Sequence, residues 1–559
     1  MNDLQQRLYG LLQSTAERFR ESRLPPEMAA HLERLGGQVE QPCEVAVVGR
    51  VKTGKSTFIN ALLGAEDELA KVGATETTAT INYFRHGHPD AAKPVRCYWR
   101  NGTSEDVTRE FLDRLQGNDL ETLRRAEGIH HLEYRLQNRY LEQAVLVDTP
   151  GLGAVVDAHQ DRTAEYMQLY TQLRQRHDRE TQELDGRADA VIYLTDAVAR
   201  VTDRDFLDDF GQLTGGRSKA LNAIGVMARI DQQPDLLTRR RELAAKVARQ
   251  FEKHLNTVIP VSGGLEFALH RLRARDRAGL KRMAAAFSRV PADTLETLLD
   301  GEELYLTKSC PLSVEEREEL LDDKIPWTVF TMIARKLATP GLDLAGAERE
   351  LAEIAGFQPL KGVLDRHFFK RATYLRCFRI VNETRNILSG IRLRELPKLK
   401  LRDREEQAQR ERFLTYIRGA GGDRAAAKEL EDFIARVCGT ARRGEQLESE
   451  LRRWSREFDQ LFHDLEEYNA DFEVLQLLDE YAGLFTDGER DELLPLLGLY
   501  GFENDKRLRS GKVSLAEVGR RQQHWHQFSF EQRSPIRTQV AERAVTRYGL
   551  ILDEMSGQE

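Results

Sequence analysis

The sequence predicts an α/β domain, a mostly parallel sheet flanked by helices, joined to an extended all-α helical bundle. Between residues 43 and 263, short β-branched runs such as Val45 to Val48, Val145 to Val147 and Val191 to Leu194 alternate with helical patterns. Apolar strands of this kind are buried on both faces, as in a parallel sheet covered by helices. From about residue 265 onward strands nearly vanish. There Leu447, Leu451, Trp454, Phe458, Leu461, Leu465, Tyr468, Phe472 and Leu475 recur at spacings that alternate between four and three. That is the heptad seam of a long helix packed against others.

In chain order, residues 1–42 read as an amphipathic helix, a break at Pro25-Pro26, a second short helix and a stop at Gly36-Gly37. Leu4, Leu8 and Leu11 give the first helix one apolar stripe, which requires a partner surface. Within the α/β region, Val95 to Arg100 followed by Asn101-Gly102 reads as a strand entering a hairpin turn. The run Gly419 to Asp423 supplies a helix stop and then an N-cap, so the chain turns back antiparallel. The seam continues less purely through Leu478, Ala482 and Phe485, giving a helix over 447–485, a rod of roughly 55–60 Å. Past it lies the apolar segment Leu493 to Phe502, followed by Lys506, Arg507 and Arg509. Two readings fit it: an interhelical core turn, or an apolar tip with basic neighbours that enters an anionic leaflet.

Composition narrows the function classes. A formal net charge of −8 argues against nucleic acid as a partner, because phosphate binding needs a basic surface. The basic runs Arg239 to Arg241 and Arg392 to Arg404 read as solvated helix faces. No apolar run approaches the roughly 18–20 residues that span a bilayer, and the first residues lack the apolar stretch of a signal peptide. The expectation is a cytoplasmic protein whose membrane contact is peripheral. Five cysteines are scattered without metal-ligand spacing, so reduced, mostly buried thiols are expected.

The chemistry is concentrated at one loop. Val45 to Val48 runs into Gly49, Arg50, Val51, Lys52, Thr53, Gly54, Lys55, Ser56 and Thr57, and then into the helical Phe58 to Leu63. This is G-x-x-x-x-G-K-[ST] in the strand, loop and helix context of a phosphate-binding P-loop. The glycines let backbone N–H groups turn inward around a phosphate, and the helix N-terminus adds dipole and free donors. Lys55 is expected to reach the β/γ-phosphates, and the Ser56 hydroxyl to ligate Mg²⁺.

Further motifs follow in order. Asp148 ends an apolar strand and opens Asp148 to Gly151; its carboxylate is expected to hold Mg²⁺ through water, while the Gly151 N–H senses a γ-phosphate. Between Gly73 and Thr80 lies a threonine-rich run, in which Thr75 or Thr77 is expected to complete the metal shell as a switch. The strand Ala223 to Met227 ends in Ala228, Arg229, Ile230 and Asp231. Asp231 can accept from the N1–H and exocyclic amine of guanine, and the stem of Arg229 can cover the base. Ala228 lacks the usual hydrogen-bonding side chain. Ser262 and Gly263 follow Thr257 to Ile259 where a last base-contacting loop belongs. The ligands expected are therefore guanine nucleotide, as GTP, and Mg²⁺.

The run from Gly49 to Gly64, the threonine-rich switch, the segment Asp148 to Gly153 and the long helical C-terminal half resemble bacterial dynamin-like proteins. The likeness is sharp over 43–263 and extends to Ala355 to Leu375. What it implies is an α/β P-loop GTPase domain core over 43–263 and a final domain helix with hinge over 356–376; residues 264–355, a helical insertion between them, depart from the family's pattern. It further implies a neck and trunk bundle over 377–559, which the helices of 1–42 join. The family implies GTP hydrolysis and a nucleotide-dependent homodimer or oligomer. It also implies contact with an anionic membrane surface on the inner face of the cell membrane, and pairing with a related dynamin-like protein. Lys52 corresponds to a P-loop basic residue that some members use as a catalytic finger on pairing. The alternative is a GTP-dependent switch or scaffold that acts on protein partners without touching lipid. A GTPase working on ribosomes is disfavoured, since no RNA-binding module is evident.

Overall fold

The computed structural model describes residues 3–22, 24–49, 53–64, 80–88, 90, 93–115, 120–142, 144–148, 188–196, 223–232, 234–251, 254–322, 324–367, 371–419, 425, 428–433, 443–509 and 513–556. They fall into two compact units. One is Pro42–Leu375, and the other combines Met1–Gln41 with Arg376–Glu559.

The unit Pro42–Leu375 is built on nine strands: β1 (Cys43–Gly49), β2 (Ile81–His86), β3 (Val95–Trp99), β4 (Ser104–Val107), β5 (Ile129–Leu136), β6 (Ala144–Asp148), β7 (Ala190–Thr195), β8 (Ala223–Met227) and β9 (Val258–Pro260). Their order is β4-β3-β5-β2-β6-β1-β7-β8-β9. From β6 to β9 every neighbouring pair is parallel, as is β2 with β5. β2 runs antiparallel to β6, and β3 antiparallel to β4 and β5. The β3–β4 hairpin turns at Gly102, whose φ is +86°. Every residue of β6, β7 and β8 is buried, as continuous apolar runs require between two helical layers. Because β1, β6, β7 and β8 are parallel, their carboxyl ends bring Gly49, Asp148, Thr195 and Met227 to one edge of the sheet, where ligands of open α/β sheets bind.

The chain opens with α1 (Asp3–Glu21) and α2 (Pro26–Gln38), which belong to the other unit. Around the sheet lie α3 (Lys55–Leu63), α4 (Leu120–Gly128), α5 (Arg240–Gln250) and α6 (Gly263–Phe287). They are followed by α7 (Ala292–Leu299), α8 (Trp327–Leu337), α9 (Leu344–Ala355) and α10 (Phe357–His367). On one face, Val191, Tyr193 and Met227 pack against Ala244, Val247 and Phe251. The helices of 264–355 lie on the unit itself: α6 packs on α3, and α8 and α9 pack on α6. They close back at Gly356, whose φ is +77° and where a Cβ would lie 2.3 Å from the Pro260 carbonyl oxygen. Only glycine fits there.

In the other unit, α11 (Ala372–Gly390), a π-helical turn (Ile391–Glu395) and α12 (Leu396–Gly419) run on continuously. Then come α13 (Arg443–Glu480), α14 (Asp487–Leu496), α15 (Leu515–Glu531) and α16 (Pro535–Ser556). α12 and α13 are antiparallel neighbours: the Gly444 N–H donates to Asp403 at 2.7 Å, and Lys400 pairs with Glu448. α1 lies on the seam of α13. Phe19 meets Trp454 edge-on at 5.5 Å, and Arg18 reaches Glu450 at 2.8 Å. The buried stripe of α1 is Leu8, Leu12, Ala16 and Phe19, rotated from the expected one, with Leu4 and Leu11 half-buried.

Two sequence expectations need correction here. The second helix does not stop at Gly36-Gly37 but runs through to Gln38, with Gly36 buried against α1, where a Cβ would meet the Tyr9 ring at an ordinary 3.8 Å. The long helix ends at Glu480 rather than near residue 485, because Thr486 and Glu489 form a capping box that opens α14. Of the two readings of Leu493 to Phe502, the packing favours the interhelical core turn, with Tyr500 exposed. Leu493, Leu496 and Leu497 are fully buried, and Phe502 stacks on Tyr468 at 4.6 Å. Arg507, one of the basic neighbours of the membrane-tip reading, turns inward onto Asp471 at 3.0 Å.

Candidate functional site

Between β1 and α3 the backbone has to reverse, and Gly54 does it at φ +87°, ψ 26°, a conformation that side-chain-bearing residues avoid. The Phe58 N–H then donates to the Gly54 carbonyl at 2.8 Å, starting α3 and leaving its first N–H groups directed at the loop. A Cβ at Gly49 would lie 2.8 Å from the Leu194 carbonyl oxygen, so β1 and β7 close tightly beneath the loop. Thr53 is buried, and Ser56 and Thr57 are half-buried in the first turn of α3. Lys55 folds back, its Nζ donating to the Gly49 carbonyl at 3.3 Å. Burial pushes its pKa down, and the Asp148 carboxylate works against that push. An ammonium held with so weak an internal partner is poised to gain from an anion.

Asp148 ends β6 and is 6% exposed. Burial pushes its pKa up to about 6, opposed by Lys55 and by a hydrogen bond from Asn82. That bond runs from Asn82 Nδ2 to Asp148 Oδ2 at 3.4 Å. Beside it, the Tyr134 hydroxyl is held well above the usual phenol range by burial and by the Asp148 charge. A buried carboxylate next to a half-buried serine fits a hard divalent cation, which takes one or two protein oxygens and leaves the rest of its shell to water and phosphate. Among the described residues no cluster of three or more His, Cys, Asp or Glu side chains stands ready to hold a metal.

The third side of the site comes from the loops after β8 and β9. Arg229 has φ +59°, uncommon for a residue with a side chain, and its stem lies against the loop: a Cβ at Gly54 would be 3.5 Å from Arg229 Cγ. Asp231 sits in the short 3₁₀ turn Ile230–Gln232, and its Oδ2 would be 3.7 Å from a Cβ at Gly264. The Val261 N–H donates to the Met227 carbonyl at 2.9 Å, tying the two loops together. Gly263 opens α6 against α3, where a Cβ would lie 3.3 Å from the Phe58 nitrogen.

The fold thus brings together Gly49, Thr53, Gly54, Lys55, Ser56, Thr57 and Asp148 with Arg229, Asp231 and Gly263. Ser262 is already committed. Its hydroxyl caps α6 by accepting from the Leu265 N–H at 3.1 Å, and its own N–H donates to the Ala355 carbonyl at 3.0 Å. Arg50, Val51, Lys52, Thr75, Thr77 and Gly151 lie outside the described residues. Sequence reasoning missed Asn82 and Gly356. An asparagine inside the apolar run Ile81 to Phe84 was the signal for the first; Gly356 offered none beyond its place after a helix.

Residues 45–212 match the model of the dynamin family. The isoniazid-induced protein IniC of Mycobacterium tuberculosis is 29% identical over 383 residues, covering 66% of this chain and 72% of IniC. Among solved structures, one of an oligomerised bacterial dynamin pair, described as a mechanism for long-range sensing and tethering of membranes, covers 99% of this chain and 77% of its own, at 14% identity and a TM-score of 0.30. LeoA, a bacterial dynamin GTPase from ETEC, covers 99% and 88% at 13% identity and a TM-score of 0.23. At such scores the superpositions carry no detail of the site.

Proposed function

We propose that this chain, a bacterial dynamin-like protein with a dynamin-family domain over residues 45–212, binds GTP at the loop Gly49 to Thr57 and hydrolyses it to GDP and phosphate. The observation that carries the reading is the convergence of Lys55, Asp148 and Gly54 with Arg229, Asp231 and Gly263 at the carboxyl edge of the sheet. In this reading Lys55 leaves the Gly49 carbonyl for the β/γ-phosphates, and the first N–H groups of α3 hold the β-phosphate. Ser56, Asp148 and one of Thr75 and Thr77 would hold Mg²⁺. When bound, the ion offsets the charge that builds on the phosphate oxygens during transfer. Asp231 accepts from the guanine edge, the Arg229 stem covers the base, and the Gly151 N–H reads the γ-phosphate.

The finer reading follows from the family. GTPase domains pair, Lys52 serves as the finger, and the helical unit meets an anionic membrane surface. No helix of the described residues is long and apolar enough to cross a membrane, and the leucines of the turn Leu493 to Phe502 are mostly buried, while its Tyr500 is exposed. Exposed rings elsewhere on that unit, Phe413 and Tyr416 on α12 and Phe433 beyond it, are the surface that favours contact with an apolar phase.

Calorimetry tests the site. The unmutated chain should bind GTP in Mg²⁺, and Lys55→Ala should lose at least about a hundredfold in affinity, as removal of a charge-assisted phosphate contact implies. Unchanged GTP affinity in a folded Lys55→Ala protein would refute the assignment.

A further inference from the structure

The first half of β2, Ile81 to Phe84, is apolar but for one residue. Ile81 packs with Val145 and Val147, and Phe84 is fully buried. Asn82 interrupts it. The residue is 7% exposed and stands directly opposite Asp148 in the antiparallel register of β2 and β6. Its Nδ2 faces Asp148 Oδ2 at 3.4 Å, which is a long bond. Its Oδ1 is buried with no hydrogen-bond partner. Such an oxygen destabilises a fold unless something outside the chain satisfies it, and a leucine or valine would fit this strand at no such cost. The amide oxygen can only accept. The Asp148 carboxylate opposite it is ordinarily an acceptor too, so the missing partner is a donor or a cation.

We infer that Asn82 is a positioning residue for the divalent cation: its amide holds one oxygen of Asp148, and its free oxygen accepts from the water that the cation carries. The inference rests on the nucleotide reading of the site. It accounts for two facts together, the asparagine in an apolar strand and the unsatisfied oxygen beside a buried carboxylate. It also assigns β2 a part in the site.

The test compares the unmutated chain with Asn82→Leu, which keeps the shape and loses both polar atoms. Two quantities are read on the full chain: GDP affinity in EDTA, and Mn²⁺ affinity of the GDP complex by electron paramagnetic resonance. Loss of an outer-shell partner of this kind typically costs about 10–100-fold in metal affinity. The expected result is that Mn²⁺ binding weakens by that factor while GDP affinity in EDTA stays as it was. A merely structural asparagine would alter both or neither. Mn²⁺ affinity unchanged in folded Asn82→Leu would overturn the inference, as would equal weakening of both quantities. If Asn82→Leu does not fold, Asn82→Ser gives the same readings with the same criteria. An unmutated chain that binds no GDP in either buffer would overturn the nucleotide reading itself, and the inference with it.

Discussion

In the proposed reading, Asp231 decides the choice of base. A carboxylate accepts from two donors on the guanine edge; an amide presents one donor and one acceptor. Asp231→Asn should therefore weaken GTP and improve xanthosine triphosphate, whose edge is complementary, shifting their affinity ratio by roughly a hundredfold for two such contacts. Competition binding measures it, and an unchanged ratio would place the base elsewhere. Ala228 enters here as well. It offers no side-chain hydrogen bond, so equal binding of ATP and GTP would mark a relaxed site. A second residue reports on pH. His131 stacks on Tyr98 at 4.3 Å, and burial, with His130 and Arg85 adding to it, pushes its pKa down to about 4. Between about pH 4 and 6.5 the unfolded chain then binds more protons at this residue than the folded one, so its stabilising contribution is complete above pH 6.5 and is lost as pH falls toward 4. His131→Phe should shrink the loss of unfolding free energy between pH 7 and pH 4.5 by on the order of 1–2 kcal/mol, allowing for partial exposure; denaturant titrations at the two pH values check it. The contrast between Lys55 and Asn82 shows what a sequence discloses at this scale. Lys55 belongs to a run of neighbours whose spacing encodes the loop. Asn82 acquires its role from a partner 66 positions away, through a strand register that no local pattern specifies.

At the scale of elements, the strands and the α13 seam were legible because burial on both faces and heptad spacing leave a periodic record. Element ends were less so. Gly36-Gly37 has the composition of a stop, yet the helix runs through it with Gly36 buried against α1, and Thr486 with Glu489 ends the seam that apolar spacing alone would have extended. The least legible feature is a polar lock at the far end of α13. The fully buried Asp471 carboxylate holds Arg507 at 3.0 Å, Arg543 at 2.7 Å and Arg547 at 2.6 Å, pinning α16 and the turn after α14 to α13. Basic residues at 507, 543 and 547 read as surface charge until the fold brings them to one anion. Asp471→Ala removes the carboxylate that Arg507, Arg543 and Arg547 share, leaving Arg543 only Glu467 at 2.9 Å, and breaking a buried pair costs about 3–5 kcal/mol. Hydrogen exchange should accelerate in the last turns of α13, in α14 and in α16, and stay unchanged in β1, β6, β7 and β8. Unaltered exchange in α16 would show that apolar packing alone holds it.

For the whole molecule, the question is how a site of this kind turns over. Small GTPases orient the attacking water with a glutamine after the Asp-x-x-Gly motif; this chain has Leu152 there, which cannot hydrogen-bond water. A single copy should therefore be slow. Under the proposed pairing of GTPase domains, Lys52 would supply the missing charge; fingers of this type are worth roughly 10³–10⁵ in rate when arginine provides them, and less is expected of lysine. Lys52→Ala should then lower turnover while leaving GTP affinity nearly intact, the reverse of what Lys55→Ala does.

Phosphate release from GTP, followed from dilute to concentrated full-length protein in Mg²⁺, tests the central claim most directly. The expected result is hydrolysis of GTP in preference to ATP, with activity per molecule that rises with concentration and is absent in Lys55→Ala. No release from GTP at any concentration, or release that persists undiminished in Lys55→Ala, would contradict it.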